Sequence, residues 1–205
     1  MEEKQTHLNG ARHRQRPGLI SKIVVTVLAV VGPSVFVVLL ILTPKRLEID
    51  VTNAFLSEFN LTINNTLHYN LTLNISIKNP NKRIGLYYDT IQAKGYVFDD
   101  YQFGTVSLPP FYQGHKNTSV LSPVFHGQLL SFPESSDLIP NFNNDTSDGV
   151  YDIAVELYLS FRTKGGRWIK NGHFKPVIWC SLKVPLSSNG KSAVGFTPTE
   201  CSLNH

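Results

Sequence analysis

Residues 61–77 read LTINNTLHYNLTLNISI, and this stretch sets the fold class. Over residues 61–77 the odd-numbered side chains are aliphatic or aromatic, with Asn65 as the one exception, and every even-numbered side chain is polar. Alternation with a period of two is typical of a β-strand that buries one face and exposes the other to water. The adjacent Asn64 and Asn65 interrupt the pattern and predict a turn or a bulge. The stretch therefore predicts a half-buried strand whose odd-numbered residues enter a core.

Six N-x-S/T glycosylation sequons support the same register. They begin at Asn60, Asn64, Asn70, Asn74, Asn117 and Asn144. The first four acceptors have even numbers, so the register that buries the aliphatic side chains places these acceptors on the solvent face. A bulky glycan is attached at an exposed position. We therefore predict a glycoprotein that carries glycans on one face of a sheet.

A long apolar run precedes this stretch. Residues 23–42 contain no charged side chain. As a helix, about 20 residues rise about 30 Å, which is the thickness of the hydrocarbon core of a bilayer. The TPKR sequence at residues 43–46 offers no small-residue cleavage site. We therefore predict an uncleaved transmembrane anchor, and the alternative is a cleaved signal peptide.

The charges on either side of the run predict its direction. Residues 1–22 hold five basic and two acidic side chains, whereas only Lys45 and Arg46 follow the run closely. The positive-inside rule then places the N-terminus in the cytosol and residues 43–205 outside, as in a type II signal-anchor protein. All six sequons and the only two cysteines, Cys180 and Cys201, lie on the outer side. Two cysteines outside the cytosol predict one disulfide bond, and the alternative is two unpaired buried thiols.

Length and charge divide the chain into three segments. Residues 1–22 are expected to be a disordered basic tail, residues 23–42 a transmembrane helix, and residues 43–205 one domain with its own core. The net charge is +4, of which the tail contributes +3. A near-neutral outer domain lacks the basic stripe that neutralises phosphates. The composition therefore predicts a membrane partner and no nucleic acid.

The rest of the outer domain also predicts short strands. The alternation returns over residues 151–161, and further strands are expected at residues 91–98, 103–108, 120–130 and 174–184. Gly165 and Gly166 predict a hairpin turn. Residues 131–149 are rich in Ser, Asn, Pro and Asp and are expected to form a loop with one helical turn near residues 135–139. About seven short strands without a long amphipathic helix predict an all-β sandwich.

Motifs for catalysis are absent from the sequence. It contains no P-loop, dinucleotide-binding glycine motif, H-E-x-x-H or G-x-S-x-G. The seven histidines are scattered without the spacing of metal ligands. Asp99 and Asp100 are adjacent and would point to opposite faces of a strand. We therefore predict no enzymatic activity, cofactor or metal. The alternative, an unrecognised hydrolase, requires clustered titratable groups.

One cluster of cations includes an aromatic residue. It consists of Arg162, Lys164, Arg167, Trp168 and Lys170 around the Gly165 and Gly166 turn, with Lys175 nearby. Clustered cations gain affinity for anions from their charge density. The cluster is a candidate surface for an acidic polymer or an anionic lipid surface, and the alternative is a solubilising hairpin tip.

Three blocks of the sequence resemble signature segments of the plant NHL family, the harpin-induced and non-race-specific disease-resistance-like proteins. The blocks are NPNKRIGLYYD at residues 79–89, PFYQGHKNT at residues 110–118 and WCSLKVPL at residues 179–186. The motif residues within them are Asn79, Pro80, Asn81, Tyr112, Gln113 and Gly114. The outer part of proteins in this family is a late-embryogenesis-abundant type 2 domain.

The resemblance implies both a fold and a role. The implied fold is an antiparallel sandwich of the fibronectin-III or immunoglobulin type. The implied protein is a plasma-membrane glycoprotein, with plasmodesmata as a further location, that acts without catalysis in pathogen defence and the hypersensitive response. Its outer domain is expected to bind a protein partner or a cell-wall polysaccharide. The alternative role is protection of the membrane surface during dehydration. The integrin-type tripeptide Arg-Gly-Asp of some relatives is absent here.

Overall fold

The computed structural model describes residues 18–130, 138–165, 172–187 and 195–203. The chain forms two units, Met1–Thr43 and Pro44–His205. In its described part the first unit contains a single helix, and the second unit contains all of the strands. Each unit is therefore described by itself.

Helix α1 (Leu19–Leu42) includes the whole apolar run and begins before it. By length and composition it is able to cross a membrane. The helix continues through Pro33, which has no N–H and so leaves the carbonyl of Ala29 without its usual helical donor. One residue further along, the Ser34 hydroxyl donates to the Val30 carbonyl oxygen at 2.7 Å. Membrane helices tolerate proline where such local adjustments occur.

The second unit is built mainly from antiparallel strands. In its described part these are β1 (Glu48–Leu61), β2 (Leu67–Lys78), β3 (Ile84–Val97), β4 (Tyr101–Leu108), β5 (Phe111–Gln113), β6 (Thr118–Leu121), β7 (Val124–Leu129), β8 (Val150–Gly165), β9 (His173–Phe174), β10 (Val177–Pro185), β11 (Thr199–Glu200) and β12 (Ser202–Leu203). Helix α2 (Leu138–Asp148) lies between β7 and β8.

The strands form two sheets that share one core. The first sheet has the order β11-β1-β2-β6, with β7 also paired to β2. The second has the order β12-β10-β8-β3-β4, with β5 paired to β3 and β9 to β8. Side chains from both inner faces belong to one buried cluster, for example Leu56 and Leu71 from the first sheet and Ile91 and Leu157 from the second. The predicted all-β sandwich is confirmed.

The alternating stretch at residues 61–77 is divided between two strands. β1 ends at Leu61 and β2 begins at Leu67, and Asn65 between them has a φ of 54°. The turn predicted at this asparagine is therefore confirmed. Ile63, which the alternation assigned to the core, lies in the turn and is fully exposed. From residue 67 onward the prediction is correct, since every odd-numbered residue of β2 is buried.

The loop predicted over residues 131–149 is wrong in its second half, where α2 forms. Phe142 on this helix is 3% exposed and stacks on Phe59 of β1, with ring centroids 5.8 Å apart. Pro140 lies in the first turn, where an N–H would have no helical acceptor and proline is tolerated. The amide-rich composition favours a loop locally, but burial of an aromatic side chain stabilises the helix through tertiary packing. Residues 131–137 lie outside the described residues.

The C-terminal segment contacts both sheets. β11 pairs with β1 in the first sheet, and β12 pairs with β10 in the second. Cys201 lies between these two short strands, and its N–H donates to the Ile49 carbonyl oxygen at 2.9 Å. A disulfide joins Cys201 to the buried Cys180 of β10. The bond therefore fastens the segment at the point where it crosses from one sheet to the other.

Candidate functional site

Three amide side chains from the motif blocks are buried at one end of the sandwich. Asn79 and Gln113 have no exposed surface, and Asn81 is 8% exposed. Burying an amide without hydrogen-bond partners costs about 1–3 kcal/mol on the scale of protein mutations. The partners of these three side chains, which we call the amide clamp, therefore show what the motif does.

Asn79 connects two loops. Its Nδ2 donates to the carbonyl oxygens of Ile84 at 2.8 Å and Gly114 at 3.0 Å. Its Oδ1 accepts from the backbone N–H of Asn81 at 3.1 Å and from the Asn81 side chain at 3.0 Å. Every donor and acceptor position of the amide group is thus engaged. The side chain ties the β2–β3 loop to the β5–β6 loop.

Gln113 makes a similar set of bonds inside the core. Its Nε2 donates to the carbonyl oxygens of Ile77 at 2.7 Å and Asn117 at 3.1 Å. Its Oε1 accepts from the hydroxyl of Tyr88 at 3.1 Å. Burial raises the pKa of Tyr88 well above its ordinary value, so this phenol remains a donor. Gln113 therefore links the end of β2, β3 and the β5–β6 loop.

Asn81 connects the clamp to the segment between α1 and β1. Its Oδ1 accepts from the Lys45 N–H at 2.7 Å, and its Nδ2 donates to the Lys45 carbonyl oxygen at 2.9 Å. Its own carbonyl oxygen accepts from the Lys116 N–H at 3.0 Å. The β2–β3 loop is thereby joined to the segment before β1 and to the β5–β6 loop. In sequence, Lys45 and Asn81 are 36 positions apart, and no local pattern indicates this contact.

The other motif residues have packing or backbone roles. Tyr112 is 48% exposed, and its ring lies 4.5 Å from the ring of Tyr87. A Cβ atom at Gly85 would overlap the Tyr112 hydroxyl, so glycine allows this ring to lie on the strand. Pro80 is half-buried between the two asparagines, and the Gly114 carbonyl is an acceptor within the clamp. The motif is therefore a structural clamp with one exposed aromatic side chain.

The candidate cationic surface is only partly within the described residues. Arg162 and Lys164 lie on β8, whereas Arg167, Trp168 and Lys170 fall outside the described residues. The two described cations both contact side chains of β3, which is paired with β8. The binding role assigned to this cluster stays a prediction.

Arg162 forms a bidentate ion pair with Asp89. Its Nε and Nη2 donate to the two carboxylate oxygens at 2.8 Å each. The hydrogen bonds from the guanidinium lower the pKa of the Asp89 carboxyl. The planar guanidinium is held in one orientation by this geometry. Arg162 therefore presents an ordered and largely compensated charge.

Lys164 is held by an aromatic side chain. Its Nζ donates to the hydroxyl of Tyr87 at 3.1 Å and lies 5.5 Å from the centroid of that ring. Tyr87 and Asp89 are two positions apart on β3, so their sequence spacing was a signal for a shared face. The pairing of β3 with β8, which brings them to these cations, was not visible in the sequence. The resulting aromatic-cation face consists of Tyr87, Tyr112, Arg162 and Lys164.

The six sequon acceptors differ in exposure. Asn60, Asn64, Asn117 and Asn144 are exposed, whereas Asn70 and Asn74 on β2 are half-buried. The Oδ1 of Asn74 also accepts a hydrogen bond from Ser122 at 3.0 Å. All of the β2 acceptors point away from the buried odd-numbered face. Glycosylation at these positions stays a prediction.

A cleft of about 890 Å³ opens beside the C-terminal segment. Its lining includes Asp152 and Lys183, which form an ion pair at 3.4 Å. Ser181 and Thr199 supply hydroxyl groups to the same lining. Across the described part of the chain, no group of three or more His, Cys, Asp or Glu side chains is placed to hold a metal ion.

Comparisons with known proteins extend beyond the motif blocks. A family model for late embryogenesis abundant proteins matches residues 74–190. NDR1/HIN1-like protein 3 of Arabidopsis thaliana is 43% identical over 91% of this chain and 80% of its own length. NDR1/HIN1-like protein 10 of the same plant is 38% identical over 91% of this chain and 82% of its own length. The solution structure of an Arabidopsis thaliana protein is 18% identical over 68% of this chain and 81% of that one, with a TM-score of 0.36.

The region that matches the family model contains the whole amide clamp. Asn79, Asn81 and Gln113 lie between residues 74 and 190. The two relatives also match over nine-tenths of this chain, well beyond the clamp. The resemblance inferred from the three motif blocks is therefore confirmed. This chain belongs to the late embryogenesis abundant protein family and, within it, to the NDR1/HIN1-like proteins, a plant group related to defence and stress.

Proposed function

We propose that this protein is a single-pass type II plasma-membrane glycoprotein whose outer domain acts in plant defence, including the hypersensitive response, by binding a protein partner or a wall polymer. The observation that carries the proposal is the similarity to NDR1/HIN1-like proteins over 91% of the chain. That match includes residues of the apolar helix as well as of the sandwich. A tethered sandwich with the exposed Tyr112 on its aromatic-cation face suits a binding role.

The aromatic-cation face is the surface that best fits a partner. Tyr and Arg side chains are enriched in protein interfaces because they combine apolar contact with hydrogen bonding. Tyr112 is exposed, and Arg162 is already oriented by Asp89. Less conformational entropy is then lost when a hydroxyl-rich group binds. We include Arg167, Trp168 and Lys170 in this surface on sequence grounds.

A second role is favoured by the name of the matching family model, late embryogenesis abundant protein. It is the protection of the membrane surface during dehydration. A protectant needs no specific partner, so its effect rises with the amount of protein and is insensitive to single surface substitutions. A binding protein loses its effect when one face is altered.

Proximity labelling from the C-terminal domain in planta, with and without bacterial challenge, tests these roles. Three forms of the full chain are compared: the unaltered protein, Arg162→Glu with Lys164→Glu, and the control Lys94→Glu with Lys183→Glu, which makes the same charge change elsewhere on the second sheet. We expect a defined set of labelled proteins or wall fragments that the first variant loses and the control keeps. Identical labelling by all three forms, with dehydration tolerance that follows expression level, would contradict the binding role.

The proposed orientation has its own test. Protease added to intact cells should remove the C-terminal domain and leave the N-terminal tail protected. Removal of N-glycans by a glycosidase should lower the apparent mass of the full chain. A C-terminal domain that is protected in intact cells, and a mass unaffected by the glycosidase, would contradict the type II assignment.

A further inference from the structure

Five basic residues lie in the three segments that the amide clamp joins, and we call them the basic collar. They are Lys45, Arg46, Lys82, Arg83 and Lys116, and all five are exposed. Asn81 connects the backbones of these three segments. Its side chain bonds the backbone of Lys45, its carbonyl oxygen accepts from the N–H of Lys116, and Lys82 and Arg83 follow it directly in sequence. The buried clamp therefore holds together the backbone segments that carry these cations.

The collar has no compensating negative charge in its own segments. Residues 44–47, 79–83 and 114–118 contain no Asp or Glu. Glu48, which follows the first segment, is bonded to Lys78 at 2.7 Å. Among the described residues, no collar side chain takes part in an ion pair. This distinguishes the collar from the aromatic-cation face, where Asp89 neutralises Arg162.

The collar also begins close to the membrane anchor along the chain. Lys45 follows Leu42, the last residue of α1, by three positions. Three residues of extended chain reach at most about 11 Å. This reach is close to the Debye length of about 8 Å at physiological ionic strength, within which an exposed cation interacts with the phosphate groups of a bilayer surface. The length of the connecting chain therefore allows the first collar cations to reach the layer of lipid headgroups.

We propose that the basic collar binds phosphate-bearing lipid headgroups of the bilayer in which α1 is anchored. Charge complementarity and the short link to the anchor both favour this occupant over a soluble one. A tethered site meets headgroups at a high effective concentration, so weak individual contacts are sufficient. The interaction is independent of the partner proposed for the aromatic-cation face. It would hold one end of the sandwich against the membrane surface.

A glycosylation sequon lies next to the collar, so the test needs a form of the protein that lacks this sequon. Asn117 is exposed beside Lys116 and begins a sequon that needs Ser119. A glycan at this position would occupy space next to the collar. The test therefore includes the full chain with Ser119→Ala, which removes the sequon and leaves Asn117 and its bonds to the clamp unchanged.

Amine footprinting of the full chain in vesicles tests the proposal. The protein is reconstituted in phosphatidylcholine alone or in phosphatidylcholine mixed with phosphatidylglycerol, and acetylation of each lysine is followed by mass spectrometry. We expect Lys45, Lys82 and Lys116 to react about fivefold more slowly in the anionic vesicles, and high salt to remove the difference. Lys94 and Lys183, on the outer face of the second sheet, serve as internal controls and should not change.

Charge reversal provides the second arm. Lys82→Glu with Arg83→Glu should restore the reactivity of Lys45 and Lys116 in anionic vesicles, whereas Lys94→Glu with Lys183→Glu should not. Equal reactivity in the two kinds of vesicle, with and without Ser119→Ala, would overturn the proposal, as would uniform slowing of all lysines. Protection by added polygalacturonate in neutral vesicles, without protection by anionic lipid, would assign the collar to an acidic polymer instead.

Discussion

Asn79 and Gln113 show why the motif uses amides and not carboxylates. In both side chains the nitrogen donates to two backbone carbonyl oxygens, while the oxygen accepts from other donors. An ionised carboxylate has acceptor oxygens only and would face those carbonyls with a negative charge. A neutral amide meets both requirements at one buried point. The chemistry of the motif therefore follows from the arrangement of backbone groups around it.

Gln113→Glu tests this account with a nearly isosteric change. The new carboxylate would be buried opposite the carbonyl oxygens of Ile77 and Asn117, so we expect a loss of about 3 kcal/mol or more in the free energy of unfolding at neutral pH. Burial raises the pKa of such a carboxyl, so the variant should regain stability as the pH falls and the group takes up a proton. Chemical denaturation of the full chain in detergent micelles measures both effects.

The control for this variant is Gln102→Glu. Gln102 is exposed on β4, so the same chemical change should alter stability by no more than about 0.5 kcal/mol. Equal losses in the two variants would show that the clamp does not depend on its donor groups.

The ion pair between Asp89 and Arg162 makes the stability of the folded protein depend on pH in the acid range. Its pKa is lowered in the folded protein by the hydrogen bonds from Arg162. A lowered carboxyl pKa means that the folded protein binds fewer protons than the unfolded chain. The stabilisation is therefore complete above the ordinary pKa of 3.8 and is lost as the pH falls through the lower folded value. Asp89→Asn should remove this acid-dependent part of the unfolding curve.

The measurement for Asp89 is a pair of acid titrations followed by tryptophan fluorescence. Asp50→Asn on β1 is the control, since Asp50 forms no ion pair among the described residues. Curves for the unaltered protein and Asp89→Asn that coincide at all pH values would contradict the assigned ion pair.

At the scale of elements, β-bulges determine which strands can be predicted from the sequence. In β1 the register shifts between Val51 and Asn53 and again between Leu56 and Glu58. The buried positions consequently change from odd to even numbers and back to odd along the strand. Period-two alternation never persists long enough to be recognised, so the sequence does not predict this strand. β2 contains no such shift in its buried pattern and was predicted correctly over its whole length.

Phe142 is the buried aromatic side chain of helix α2, and Phe142→Ala tests how far the helix depends on it. Phe142 is 3% exposed and packs against Phe59 and Tyr151. Large-to-small changes at buried Phe cost about 3–5 kcal/mol, so the variant should lose stability of that order and the amides of α2 should lose hydrogen-exchange protection. Phe174→Ala is the control, because Phe174 is 51% exposed. Unchanged protection of α2 would mean that other contacts hold it.

At the scale of the whole molecule, the C-terminal segment joins the two sheets. β11 extends the first sheet and β12 extends the second, although the two strands are separated only by Cys201. The inner faces of the sheets are also joined by side-chain packing in one core. The disulfide therefore adds a covalent link where the segment changes sheets.

Removal of the disulfide should destabilise the entire sandwich. Cys180 and Cys201 are 21 positions apart, and on the chain-entropy model a loop of that length contributes about 3 kcal/mol. Cys180→Ala with Cys201→Ala should lower the free energy of unfolding by that amount without changing the fold. Reduction of the unaltered protein should reproduce the loss. A double variant as stable as the oxidised protein would contradict the role assigned to the bond.

The features that sequence alone specified are periodic or compositional. The apolar helix, the alternation of β2 and β8, and the turn at Asn65 each follow from side chains that are neighbours in the chain, and the motif blocks identified the family. Such signals need no knowledge of pairing, because the 3.6-residue and two-residue periods are properties of one element. The sandwich class follows from adding these elements together.

The contacts that form the site were decided by tertiary structure. Asn81 meets Lys45 across 36 positions, and Arg162 meets Asp89 across 73 positions. Each contact depends on strand order and register, and bulges in β1 and β3 change the register by one residue. A shift of one residue moves a side chain to the opposite face of a sheet. The composition could therefore show that cations and amides were present, but only the folded chain joins the segments that carry the cations at one buried amide.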